Sequence, residues 1–225
     1  MIQIKICGLT NLEDAHVATE VGADLLGFIF YEPSPRYVTP DTVKQIVTEL
    51  HQRESTARMV GVFVNATPET VRYTLDYCQL DLAQLHGEES PDFVAQFATQ
   101  AYKALRPQSL ADAETMMTPY LAIEADFQLS KADRPQFLID AYHPILYGGT
   151  GHVTDWGMAA TLANRYEIML AGSLTPDNVA EAIEQVQPWG VDVSSGVERA
   201  KGQKEHDLVR AFVRAARGRR ASSMC

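Results

Sequence analysis

Ile2-Gln3-Ile4-Lys5-Ile6-Cys7-Gly8-Leu9-Thr10 is the stretch on which the fold turns. Its isoleucines alternate with Gln3, Lys5 and Cys7. In a strand the three apolar side chains therefore share one face and the three polar ones the other. Gly8 tolerates backbone geometries that other residues resist, and Thr10 with Glu13 has the spacing of a capping box, so a helix is expected directly after the turn. The unit is strand, turn, helix, with the Cys7 thiol at the strand's end on the side of Lys5.

The same unit recurs. Apolar runs begin at Leu25, Met59, Leu82, Tyr102, Phe137, Ile168 and Val191, and with the first they make eight candidate strands separated by helix-length segments. Thr39-Pro40-Asp41, Thr67-Pro68-Glu69, Ser90-Pro91-Asp92 and Thr175-Pro176-Asp177 each read as a hydroxyl N-cap, a first-turn proline and an acid at the positive end of the helix dipole. Leu208, Val209, Phe212, Val213 and Ala216 lie on one face of a last helix. Strand and helix alternating eight times imply an α/β protein with a parallel sheet, and at 225 residues a closed (β/α)8 TIM barrel is more economical than an open doubly wound sheet. The open sheet would usually carry GxGxxG after its first strand, and none is present. Residues 1–217 are expected to form a single barrel domain and residues 218–225 a flexible tail. Ser109 to Pro135 reads as either one long helix or a helix and a loop.

The composition, 46% hydrophobic and 21% charged, is that of a globular protein, and the formal net charge of −10 argues against a general nucleic-acid binder. No run is long enough to span a bilayer and no secretory signal pattern opens the chain, so the cytoplasm is the expected location. Cys7, Cys78 and Cys225 form no disulfide framework, and Cys78 reads as a core or helix-end residue. His16, His51, His143, His152 and His206 share no metal-ligand spacing, and no metal site is expected. Trp156 and Trp189 read as packing residues.

In such a barrel the chemistry sits at the C-terminal ends of the strands and in the loops that follow. Those positions hold Cys7, Arg36, His86, Arg106, Asp140, Gly148 to Gly151, Gly172-Ser173 and Asp192 to Gly196. Cys7 is either a small buried hydrophobe or a reactive thiol. A carboxyl at the inner end of Phe137-Leu138-Ile139-Asp140 is desolvated, which suits a general acid, and its plainer role is a helix cap or a partner for an arginine. Gly148, Gly149, Thr150, Gly172, Ser173, Ser194 and Ser195 follow the last three strands, where backbone N–H groups and hydroxyls commonly hold a phosphate. Arg36 offers a planar fork suited to a carboxylate, or is a surface residue. His86 reads more simply as a hydrogen-bonded strand-end residue than as a proton carrier. Lys5 is a candidate for lowering the pKa of Cys7, or an interior lysine with a structural partner.

KICGLT, LLGFIF, SPRYV, VGVFV, QLHGEESP, KALRP, LIDAY, YGGTGHVTDW, LAGSLTPDNV and GVDVSSGVE, in this order from Lys5 to Glu198, resemble the phosphoribosylanthranilate isomerases of tryptophan biosynthesis. The resemblance implies an aldose–ketose isomerase that performs an Amadori rearrangement. It implies Cys7 as general base, Asp140 as general acid, Arg36 facing the anthranilate carboxylate and the three glycine and serine loops holding the phosphate. Neither metal nor organic cofactor is implied; the expected partner is a small phosphosugar–anthranilate substrate, with no nucleic acid or membrane, and the protein is expected to be a monomer or homodimer. One position departs from the family pattern: Ser173 stands where a second glycine is usual, which would add strain if φ there were positive. The competing functions are another phosphosugar-converting barrel, including a bifunctional isomerase that also takes a histidine-pathway substrate, and a non-catalytic phosphosugar-binding barrel. The first would be expected to carry an aspartate where this chain has Cys7, and the second to have lost the acid or the base.

Overall fold

The structure is a computed structural model, and it describes residues 1–97, 99–126, 134–140 and 156–218. Eight parallel strands, β1 (Gln3–Cys7), β2 (Leu25–Ile29), β3 (Arg58–Phe63), β4 (Leu82–Leu85), β5 (Ala101–Leu105), β6 (Phe137–Asp140), β7 (Ile168–Ala171) and β8 (Gly190–Val193), pair in chain order. β8 returns to β1, with Lys5 opposite Asp192, and closes the barrel. Between them run α1 (Leu12–Glu20), α2 (Pro40–Gln52), α3 (Pro68–Cys78), α4 (Pro91–Ala95), α5 (Leu110–Asp126), α6 (Trp156–Ala163) and α7 (Val179–Val186). After β8 the chain makes a 3₁₀ turn (Ser195–Val197) and a small antiparallel hairpin of β9 (Glu198–Ala200) and β10 (Gln203–Lys204), then ends in α8 (His206–Ala216).

The alternation in β1 sorts the molecule into two apolar layers. Ile4 and Ile6 point outward into a core shared with the helices, among Phe28, Phe63, Ile46 and Phe212. A separate inner plug of Leu25, Val60, Leu82, Tyr102, Leu138 and Met169 fills the barrel, so the interior is a packed core and not a pore. Lys5 and Cys7 belong to the inner face, and both are buried.

Three of the expected helix starts form as read: the hydroxyls of Thr39, Thr67 and Ser90 accept from the backbone N–H of Thr42, Thr70 and Phe93, each with proline in the first turn. Two differ. Asn11, not Thr10, caps α1, because its side-chain oxygen reaches the N–H of Asp14 at 2.9 Å while the Thr10 hydroxyl donates to Gly202 O at 2.6 Å. The segment opening at Thr175 turns before its helix begins: the Asn178 side chain accepts from Thr175 N–H, and α7 starts at Val179.

In α8 the buried face is Val209, Phe212, Val213 and Ala216, whereas Leu208, one residue off that stripe, is 37% exposed. Cys78 is the last residue of α3 and fully buried, and Trp156 packs in the outer core. From Ser109 onward a helix runs to Asp126 through Pro119, so the long-helix alternative holds to that point. Residues 127–133 lie outside the described residues. So do Gly148, Gly149, Thr150 and the tail from residue 219. Among the described residues no helix is long and apolar enough to cross a membrane.

Candidate active site

A cavity of about 320 Å³ opens at the C-terminal end of the barrel, lined among others by Cys7, Arg36, Gln84, His86, Asp140 and Asp192, with the Gly172–Leu174 and Ser194–Gly196 turns along one side. Topology gathers them: Cys7 ends β1, Asp140 ends β6, His86 follows β4, and the two turns follow β7 and β8.

The thiol is tightly seated. A Cβ on Gly27, the β2 residue beside it, would lie 2.7 Å from Cys7 Sγ and 3.1 Å from Lys5 Cε, so only glycine leaves the thiol its place. Burial pushes the Cys7 thiol up, and the nearby Lys5 ammonium offsets this only in part.

Beneath it runs a polar network inside the apolar plug. Lys5 Nζ donates to Gln84 Oε1 at 2.7 Å and pairs with Asp192 Oδ1 at 3.2 Å. Burial alone would lower the ammonium's pKa, but the Asp192 carboxylate chiefly opposes this, and Lys5 is held charged above its ordinary value. Tyr102 donates its hydroxyl to the same Gln84 oxygen at 3.0 Å. Those two bonds fix the Gln84 amide with its nitrogen toward His86 Nδ1, 2.9 Å away. On its other side the ring meets the Arg106 guanidinium, Nη2 to Nε2 at 3.0 Å. Burial first, and the Arg106 charge second, push His86 down to about 3. It is an uncharged, hydrogen-bonded strand-end residue.

Asp140 has Arg106 as a neighbour, Nε to Oδ2 at 3.4 Å, which is the arginine partner foreseen as its plainer role. Arg106 is 68% exposed and has room to swing toward solvent. Arg36 reaches the rim across Gly8, where φ is +73° and a Cβ would lie 2.7 Å from Arg36 Cδ. Its Nε and Nη2 each donate to Glu198 at 2.7 Å. Ser173 adopts φ +52°, the positive value that its glycine-like place made a concern. Ser194 Oγ is buried without a hydrogen-bond partner among the described residues.

The structure thus brings together Cys7, Lys5, Arg36, His86, Asp140, Gly172, Ser173, Ser194 and Ser195. Gln84, Tyr102, Glu198 and Lys204 were not picked out from the sequence. Their signal was parity: Gln84, two residues before His86 in an apolar run, and Tyr102, at the matching place in β5, sit at inward positions where a polar group needs a partner. Among the described residues no cluster of histidine, cysteine or carboxylate side chains could hold a metal.

The chain is a closed (β/α)8 barrel whose rim carries a thiol and a carboxyl on one cavity edged by glycine and serine turns, the architecture of a barrel enzyme. A family model described as N-(5'phosphoribosyl)anthranilate (PRA) isomerase matches residues 4–215. The chain belongs to the N-(5'-phosphoribosyl)anthranilate isomerase family. It is 46% identical over 218 residues to the N-(5'-phosphoribosyl)anthranilate isomerase of Trichlorobacter lovleyi, covering 96% of this chain and 98% of that one. Among solved structures it is similar to phosphoribosyl anthranilate isomerase from Thermotoga maritima, with a TM-score of 0.82, 37% identity and coverage of 96% and 99%. It is also similar to a phosphoribosyl anthranilate isomerase in complex with reduced 1-(o-carboxyphenylamino)-1-deoxyribulose 5-phosphate, with a TM-score of 0.80, 35% identity and coverage of 96% and 99%.

Proposed function

We propose that this chain converts N-(5-phosphoribosyl)anthranilate to 1-(2-carboxyphenylamino)-1-deoxyribulose 5-phosphate in tryptophan biosynthesis, with Cys7 as general base and Asp140 as general acid. The observation that carries the reading is that both side chains line one cavity, from strands three apart around the closed ring. A reaction that breaks a ring C–O bond and then moves a proton from C2 needs an acid and a base at separate atoms of one substrate.

Asp140 gives its proton to the furanose ring oxygen as the C1–O bond breaks, and the anthranilate nitrogen lone pair closes the C1=N bond. Arg106 would have to release Asp140 first. Cys7, once ionised, takes the C2 proton, and the C2–H electrons form C1=C2 while the C=N pair returns to nitrogen. The enolamine then loses its O2 proton and gains one at C1, giving the ketone with no net change in atoms or electrons. Lys5, charged and beside Cys7, favours the thiolate that burial opposes. His86 holds the Gln84 end of that network and carries no proton in the reaction.

The family's usual phosphate loops correspond here to Gly172, Ser173, Ser194 and Ser195, together with Gly148, Gly149 and Thr150. The buried, unpartnered Ser194 hydroxyl supports a bond to the substrate on that side. Arg36 is read as facing the anthranilate carboxylate. Residues 1–217 form the one catalytic domain in this reading, acting in the cytoplasm on a small molecule, with no metal or organic cofactor. Its test is turnover of freshly prepared phosphoribosylanthranilate. Cys7→Ser and Asp140→Asn should each lower kcat by roughly 10² or more; if both keep most of the wild-type kcat, the acid–base assignment is wrong.

A further inference from the structure

Arg36 is not presented to the cavity as an open fork. Its Nε and Nη2, the parallel pair that usually grips a carboxylate, are both bound to Glu198 at 2.7 Å. Only Nη1 has no partner among the described residues. Glu198 is itself held by two further partners: it pairs with fully buried Lys204 at 3.1 Å and accepts from Gly202 N–H at 3.3 Å, and its side chain is only 5% exposed. Burial alone would raise its carboxyl, but Arg36 and then Lys204 outweigh that and hold it below the ordinary value near 4.5. The hairpin carrying both residues is fastened to α1 through Lys204 N–H to Asp14 at 2.9 Å, and His206, which opens α8, meets the other Asp14 oxygen at 2.9 Å.

The geometry points to Glu198 as a positioning residue for substrate recognition: it grips the Nε–Nη2 edge of the Arg36 guanidinium and leaves the Nη1 end for the substrate's carboxylate. The three charges sum to one positive unit, because Lys204 cancels Glu198 and leaves Arg36 its attraction for an anion. An arginine fixed in this way loses little side-chain freedom when the substrate arrives. The role rests on the reading that Arg36 meets the anthranilate carboxylate.

Glu198→Gln tests it with nearly unchanged volume. Lys204 keeps its bond to Ser194 O at 3.1 Å while the carboxylate's grip on Arg36 is broken. KM is expected to rise about tenfold with kcat within about threefold of wild type. Inhibition by reduced 1-(o-carboxyphenylamino)-1-deoxyribulose 5-phosphate should weaken about tenfold, and inhibition by inorganic phosphate, which lacks the carboxylate, by less than about twofold. A general disturbance of the rim would weaken both and overturn the role.

Adding Glu198→Gln to Arg36→Met should change KM by less than about twofold, since nothing is left to position; full additivity would overturn it. Glu198→Asp, which keeps the charge but cannot span the same gap, is expected to raise KM in the same way and serves if the glutamine variant does not fold. If Arg36→Met itself binds substrate normally, the carboxylate reading beneath the proposal is the one that fails. If Arg36→Met raises KM and neither Glu198 variant does, the positioning role alone is wrong.

Discussion

Lys5 is enclosed between Gln84, Asp192 and the Cys7 thiol, with no exposure to solvent. Its charge opposes the rise that burial imposes on Cys7, so removing it has a definite sign. Lys5→Met should carry the thiol pKa further up, moving the rising limb of kcat/KM against pH toward alkali and lowering activity at pH 7.5 by about tenfold. An unchanged limb would remove Lys5 from the chemistry. His86 does not complicate the profile, since with a pKa of about 3 it is neutral throughout that range. At this scale the sequence was only half legible. A thiol at a strand end and a carboxyl at another could be placed on one rim by counting strands. That Arg36 would be turned toward Glu198, 162 positions away, depends on a hairpin whose fold no local pattern announces.

The turn between β7 and α7 shows how local signals fail. Thr175-Pro176-Asp177 has the composition of a cap, yet the Asn178 side chain captures Thr175 N–H and donates to Ser173 O at 3.0 Å, so the chain closes a loop before it starts a helix. Asparagine competes with the helix by bonding its own neighbourhood, and here the competition wins. The loop places Ser173 at φ +52°, a geometry that glycine adopts without a Cβ penalty. Ser173→Gly should therefore raise stability by roughly 0.5–1 kcal/mol, the relief of strain exceeding the entropy glycine adds to the unfolded chain. A urea midpoint at or below that of the parent would show that the serine is not strained. The three helices whose proline-preceding hydroxyls do cap them were readable because each bond lies within four consecutive residues.

For the whole molecule, the barrel could be read because its information is periodic: eight apolar runs, each followed by a helix-length segment, leave few topologies. Which face of β1 turned inward was less obvious. Branched residues commonly fill a barrel, but this ring is plugged by Leu25, Val60, Tyr102 and Met169, while Ile4 and Ile6 serve the layer under the helices. The polar face was therefore free to carry the chemistry into the interior.

Arg217, just past α8, reaches back across the barrel's closing seam, donating to Ile2 O at 2.6 Å and Gly22 O at 2.8 Å and pairing with Asp24 at 2.7 Å. That clasp holds residue 217 against residue 2, at the end of the barrel away from Cys7. The order in which the ring is threaded is thus separable from the ring itself. A chain in which residue 218 is joined to Met1 by a short glycine linker and new ends are opened between Glu54 and Ser55, in the connection from α2 to β3, should fold and turn over substrate within about tenfold of the parent. Loss of the native circular dichroism in that permuted chain would mean that the β1–β2 end has to be made first.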